Sequence, residues 1–151
     1  MKPEKFKVID FIRELIVVID IRLDNFPKKE LEIKNRIKSN SYDLLELAYE
    51  ANSIENIEKK KELIYKMLAK VKVIDFLVNL SLDRDLIAKK HYLKLGARLD
   101  DIARYTGGWL KSLNQAESSL GKNKNDEDKG REEEETLPEN VSNKNSTDPI
   151  T

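Results

Sequence analysis

The 151-residue chain has 28 Lys/Arg, 28 Asp/Glu and no cysteine. Without thiols there are no disulfides, no cysteine-ligated zinc fingers and no thiol catalysis, and the expected setting is the cytoplasm. The zero net charge conceals a division, because residues 1–116 carry 23 basic and 18 acidic side chains (net +5) while residues 117–151 carry 5 and 10 (net −5).

That second segment contains Gly121, Gly130, Pro138, Pro149, the run Glu132 to Glu135, and only Leu120, Leu137, Val141 and Ile150 as aliphatics. Such a composition buries too little apolar surface to offset the entropy of ordering a chain. The expected organisation is therefore a folded domain over residues 1–116 and a disordered acidic C-terminal tail over 117–151. The most apolar stretch, Phe6 to Leu23, is interrupted by Lys7, Asp10, Arg13, Glu14, Asp20 and Arg22, which fits neither a signal peptide nor a membrane span.

In chain order, Phe6, Ile9, Ile12, Ile16, Ile19, Leu23 and Phe26 recur at intervals of three and four, which predicts a helix from about Pro3 to Asp24. Asn25-Phe26-Pro27 ends it, since proline disfavours helical geometry in the residue before it and suits the start of the next helix. Ile33, Ile37, Ser41, Leu44, Ala48 and Ala51 give the second stripe, which stops near Asn52. Asn52 followed by Glu55 has the spacing of a capping box and opens a third helix, with Ile57, Ile64, Leu68, Val71, Ile74 and Val78 on its stripe. A break at Leu86 to Ala88 leads to a fourth, carrying Tyr92, Leu95, Leu99, Ile102, Thr106, Trp109 and Leu113. Gly96, Gly107 and Gly108 inside it suggest close packing or a kink. Short connections between long helices imply an all-α fold, an antiparallel up-down-up-down four-helix bundle.

Catalytic constellations are not apparent. A di-metal bundle site needs Glu-x-x-His pairs on facing helices, and this chain has one histidine, His91. One histidine does not furnish a Ser/His/Asp arrangement, and Gly107-Gly108 lacks the lysine-serine flank of a phosphate loop. The reading is a non-enzyme with no cofactor. Trp109 lies at the edge of an apolar stripe and reads as a buried anchor, and Lys59-Lys60-Lys61 among Glu55, Glu58 and Glu62 reads as a solvated face.

Two segments carry a family resemblance. Asn25-Phe26-Pro27-Lys28-Lys29-Glu30, then Ile33, Arg36, Ile37 and Leu45 to Asn52, resemble the first hairpin of the four-helix bundles related to 23S rRNA intervening-sequence proteins. Tyr92, Leu99, Ile102 and Arg104 followed by Gly107-Gly108-Trp109-Leu110-Lys111-Ser112-Leu113 resemble the accessory variability determinant proteins of diversity-generating retroelements. Where the intervening-sequence branch shows Asn-Ile-Ala-Glu-Gly, this chain has Glu50-Ala51-Asn52-Ser53-Ile54, so the retroelement branch is the better fit. The resemblance covers roughly residues 6–113. It implies a non-catalytic partner of a reverse transcriptase, a barrel-like homo-oligomer (a pentamer) that engages template RNA or an RNA/cDNA hybrid. A helical-bundle scaffold that binds only protein is the alternative.

Laying the charges on an up-down-up-down bundle brings the ends of helices 1 and 3 and the starts of helices 2 and 4 to one pole, at net +6. The residues expected to meet nucleic acid there are Lys28, Lys29, Lys34, Arg36, Lys38, Lys89, Lys90, Lys94 and Arg98. Lys90, Lys94 and Arg98 follow at i,i+4 and are expected to face a phosphate backbone together.

Overall fold

Apolar residues at helical spacing organise the chain into α1 (Glu4–Arg22), a 3-10 turn at Lys28–Glu30, α2 (Leu31–Ser53), α3 (Ile57–Asp83) and α4 (Lys89–Glu127). The computed structural model describes residues 3–127, and among these there is no strand. The chain divides into two compact units, Met1–Leu113 and Asn114–Thr151. The first is the four-helix bundle. Of the second, the described part is helical to Glu127, and residues 114–120 are all exposed.

Each helix of the bundle packs beside its neighbours in the chain, and α4 returns to α1. Lys38 of α2 pairs with Asp20 of α1 at 3.6 Å, Lys70 of α3 reaches Asn40 and Asp43 of α2 at 3.1 and 3.2 Å, and the Tyr92 hydroxyl of α4 donates to Asn79 Oδ1 of α3 at 2.7 Å. The fourth seam sets Gly108 against Glu4, Tyr105 against Phe11 and Arg98 against Glu14, so α1 and α4 run in opposite directions. The architecture is the expected antiparallel bundle.

The buried face of α2 is the expected stripe in full: Ile33, Ile37, Ser41, Leu44, Ala48 and Ala51. The expected stripe of α1 and its exit holds at Ile9, Ile12, Ile19, Leu23 and Phe26, all buried, while Phe6 is 40% exposed. Flanked by α2 and α4, α1 also buries Val8 and Leu15, and Ile16 falls at the margin. In α3, Leu63, Met67, Leu77 and Ser81 join Ile64, Val71, Ile74 and Val78 inside, while Ile57 and Leu68 are half-buried. Each fully buried Leu or Ile contributes about 1.5–3 kcal/mol relative to exposure, which makes this core the main source of stability. The buried hydroxyls of Ser41 and Ser81 are satisfied within their own helices by donating to the carbonyls of Ile37 and Leu77, both at 2.7 Å. Trp109 is buried, as an anchor should be.

Three expectations are corrected. The α3 cap is Asn56, whose side chain accepts from the Lys59 N–H at 3.0 Å, and not Asn52, because α2 continues through Ser53 and the chain turns extended only at Ile54. Close packing does not explain Gly96 and Gly107 of α4, where an added Cβ meets nothing within 4 Å; Gly108 has the Glu4 side chain at an ordinary 3.4 Å. Helix also extends over residues 117–127, which were expected to be disordered, because a helix once nucleated by packing propagates through Gln115, Ala116, Glu117 and Leu120 without needing a core of its own. The remainder of the expected tail, 128–151 with Glu132 to Glu135, lies outside the described residues.

The α3–α4 break is built by backbone hydrogen bonds. Leu86 N–H donates to Ser81 O at 2.8 Å and Asp85 N–H to Leu82 O at 2.9 Å, the paired bonds of a Schellman ending. Asp85 occupies the left-handed position at φ 59°, where glycine is favoured and aspartate is tolerated. Ile87 then buries itself and fixes the approach to α4. Asp85→Gly and Gly96→Ala should each stabilise the bundle by up to about 1 kcal/mol, raising the melting temperature by about 4 °C. Circular dichroism melts check both, and a lower melting temperature for Gly96→Ala would mean that the notch at Gly96 is needed by the fold.

Candidate nucleic-acid interface

At the end of α1 the chain leaves the helix through Leu23 and Phe26, both buried, so that Arg22 is left exposed on the rim. The 3-10 turn that follows is tied to the end of α3 by Arg84, whose guanidinium donates to Glu30 Oε2 at 3.1 Å. The start of α4 completes this pole. Its first turn has no acidic residue and carries Lys89 and Lys90, with the Ala88 carbonyl accepting from the N–H groups of His91 and Tyr92 at 3.0 Å each. Lysines at a helix N-terminus oppose the macrodipole, by about 0.3–1 kcal/mol apiece, so this end of α4 is suited to an anion.

The nine residues expected here divide into three groups. Lys28, Lys29, Lys89, Lys90 and Lys94 are exposed, and Lys34 is half-buried. Arg36 and Lys38 are already engaged, with Glu32 at 3.5 Å and with Asp20 at 3.6 Å. Arg98 departs from expectation altogether. It lies on the α1–α4 seam, 3.3 Å from both Glu14 and Asp101 and stacked 5.8 Å from the Phe11 ring centroid, so it does not join Lys90 and Lys94 in facing outward. A spacing of i,i+4 aligns Lys94 and Arg98 on the helix, but the carboxylate and ring presented by α1 draw Arg98 inward.

Arg22 was not among the expected residues, and it stands exposed in the last turn of α1, with its charge acting on His91 of α4. Half-buried His91 has its proton affinity lowered from the ordinary value of 6.5, by desolvation first and then by the charges of Arg22, Lys90 and Lys94. The fields acting on this imidazole are thus all positive, and they come from two helices. A signal for Arg22 existed in the sequence, since it occupies the last turn of α1 at the pole where α4 begins.

No protein-family model, curated protein or solved structure matches the chain.

A histidine whose folded pKa is lowered disfavours its charged form in the fold. Its contribution to stability is therefore full above the unfolded value of about 6.5 and is lost as pH falls below it. A phosphate at the pole would offset the neighbouring positive charges and raise the His91 pKa, so RNA binding should strengthen as pH is lowered through this range. Because His91 is the sole histidine, the Cε1–H resonance reports it directly. An imidazole titration that saturating RNA leaves unmoved would remove this pole from the interface.

Proposed function

We propose that the bundle is a non-catalytic nucleic-acid-binding protein that grips an RNA phosphate backbone, or that of an RNA/cDNA hybrid, at this pole. On the resemblance of residues 6–113, it acts as a homo-oligomeric accessory factor to the reverse transcriptase of a diversity-generating retroelement. The observation that carries the reading is the set of exposed cations at one pole, Arg22 at the end of α1, Lys28 and Lys29 before α2, and Lys89, Lys90 and Lys94 at the start of α4, whose first turn has no acidic residue. Phosphate contacts of this kind fix position on a nucleic acid without reading bases, which suits a partner that leaves template choice to pairing.

The contact group is Arg22, Lys28, Lys29, Lys89, Lys90 and Lys94, with Lys34 at its margin. Arg98 belongs to the fold, and its loss should lower stability before it affects RNA. A scaffold that binds only protein is the second reading, and it is favoured by the apolar strip left exposed on α3, where Val73 and Phe76 are 45% and 64% accessible.

Arg22→Glu, Lys90→Glu and Lys94→Glu together should weaken binding to a structured RNA at least tenfold. The slope of log affinity against log salt should flatten by about 2–3, because three phosphates no longer release counterions. Reversing Lys59, Lys60 and Lys61, at the opposite pole, should change affinity by less than about twofold under the same salt. Filter binding across an ionic-strength series reads both. Equal losses from the two triple variants would overturn the polar site, and no RNA binding by the wild-type chain at low salt would favour the scaffold.

A further inference from the structure

A groove of about 500 Å³ runs between the antiparallel helices α2 and α3. From α2 it is lined by Asp43, Glu46, Leu47 and Glu50, and from α3 by Lys66, Ala69, Lys70 and Val73. Each set is spaced i, i+3, i+4, i+7. Four residues at that spacing enclose the hole that receives one side chain of a neighbouring helix. The groove therefore offers a hole on each side, which is the geometry that seats a third helix. An extended segment finds no backbone partner here, because the N–H and C=O groups of both helices are taken within them.

The floor of the groove is apolar, formed by Leu47, Ala69 and Val73, and Phe76 continues the row one turn further along α3. Val73 and Phe76 are 45% and 64% exposed, so the row lacks a cover among the described residues. From Lys66 to Phe76 it measures about 15 Å at 1.5 Å per residue, close to three helical turns. An occupying helix would thus anchor through apolar side chains at i, i+3 or i+4, and i+7.

The rims set the charge of that helix. Lys70 is satisfied within the chain, by Asn40 at 3.1 Å and Asp43 at 3.2 Å. One turn along, Lys66 comes level with Glu46, yet Glu46, Glu50 and Lys66 are exposed and have no ion pair among the described residues. Glu46 and Glu50 stand four residues apart on α2, where like charges repel. A cationic edge on the occupant relieves that repulsion, and an acidic edge adds to it.

We propose that the α2–α3 groove holds an apolar-faced α-helix of a protein partner, with basic side chains along the edge that meets Glu46 and Glu50. The proposal does not rest on RNA binding, since no lining residue of the groove belongs to the basic contact group at the pole.

The test uses the full-length chain and two synthetic peptides of about 18 residues, long enough to be helical alone. Both carry leucines at i, i+3 and i+7, flanked by lysines in one and by glutamates in the other. Fluorescence anisotropy of labelled peptide at trace concentration should show the basic peptide held with a Kd below about 100 µM, and the acidic one at least about fivefold more weakly. Glu46→Lys and Glu50→Lys together should reverse that preference. Ala69→Gln, a good helix former at an exposed position, fills the floor and should weaken both peptides by about tenfold or more. The melting temperature of this variant should stay within a few degrees of wild type and its RNA affinity within about twofold, which separates the groove from the fold and from the pole. A wild type that holds neither peptide would overturn the inference. So would a basic peptide that the double variant holds equally well, because acidic residues elsewhere would then be its site. A groove already filled by a second copy, seen as lost self-association and unchanged peptide binding in Ala69→Gln, would overturn it too.

Discussion

The first and last helices of the bundle close it against each other, and the positions of all other functional groups depend on that closure. Along the α1–α4 seam, Phe11 and Tyr105 meet with ring centroids 5.2 Å apart, Arg98 bridges to Glu14, and Lys7 and Arg104 each sit 5.1 Å from the Tyr105 ring. Exposed ion pairs contribute at most about 1 kcal/mol and exposed cation–π contacts about 0.5–1 kcal/mol. The buried Ile12, Leu15, Leu99 and Ile102 contribute about 1.5–3 kcal/mol each, so the apolar core supplies the energy while the polar rim selects the register. Closing a long loop adds little further cost, because the entropy of closure grows only with the logarithm of its length.

With that register fixed, the composition of the pole follows. In an antiparallel bundle each end collects two helix N-termini and two C-termini, so the macrodipoles largely cancel there. The positive field at the His91 end therefore comes from side chains. It survives because Arg84 is matched to Glu30 and Lys38 to Asp20, while Arg22, Lys90 and Lys94 have no ion pair among the described residues. The seam makes the distinction among the α4 cations, since Arg98 is held by Glu14 and Asp101 and Lys94, one turn earlier, is not.

The fold was legible in the sequence wherever a helix offers only one row of apolar residues at helical spacing. For α2 the apolar period named every buried residue of the helix, down to Ser41, whose hydroxyl returns to its own helix. For α1 the period named Ile9, Ile12 and Ile19 and missed Val8 and Leu15, because apolar residues are so dense in this helix that more than one row fits the spacing. Asn52-x-x-Glu55 and Asn56-x-x-Lys59 offer caps at equal spacing, and only the run of α2 through the buried Ala51 decides for Asn56. The helix over 117–127 was missed because composition reports whether a segment can build a core, and a helical continuation does not require one. At the site, the exposed lysines were legible as charge, but Arg22 and Arg98 exchanged roles. Which cation faces solvent is set by the carboxylates of a neighbouring helix, and linear spacing carries no record of those.

A net charge of zero is a poor guide to the local field that a polyanion would meet at one end of this chain. At physiological ionic strength the Debye length is about 8 Å, so a phosphate responds to the groups within a turn or two of it and hardly at all to charges at the far pole. What it meets at the start of α4 is Lys89, Lys90 and Lys94 with Arg22 beside them, on a helix end that already lacks acidic residues. The acidic side chains that balance the count are placed elsewhere, among them Glu46 and Glu50 on the α2–α3 face. Segregating charge in this way gives one small bundle a cationic end and a side of mixed charge, two surfaces that share no residues.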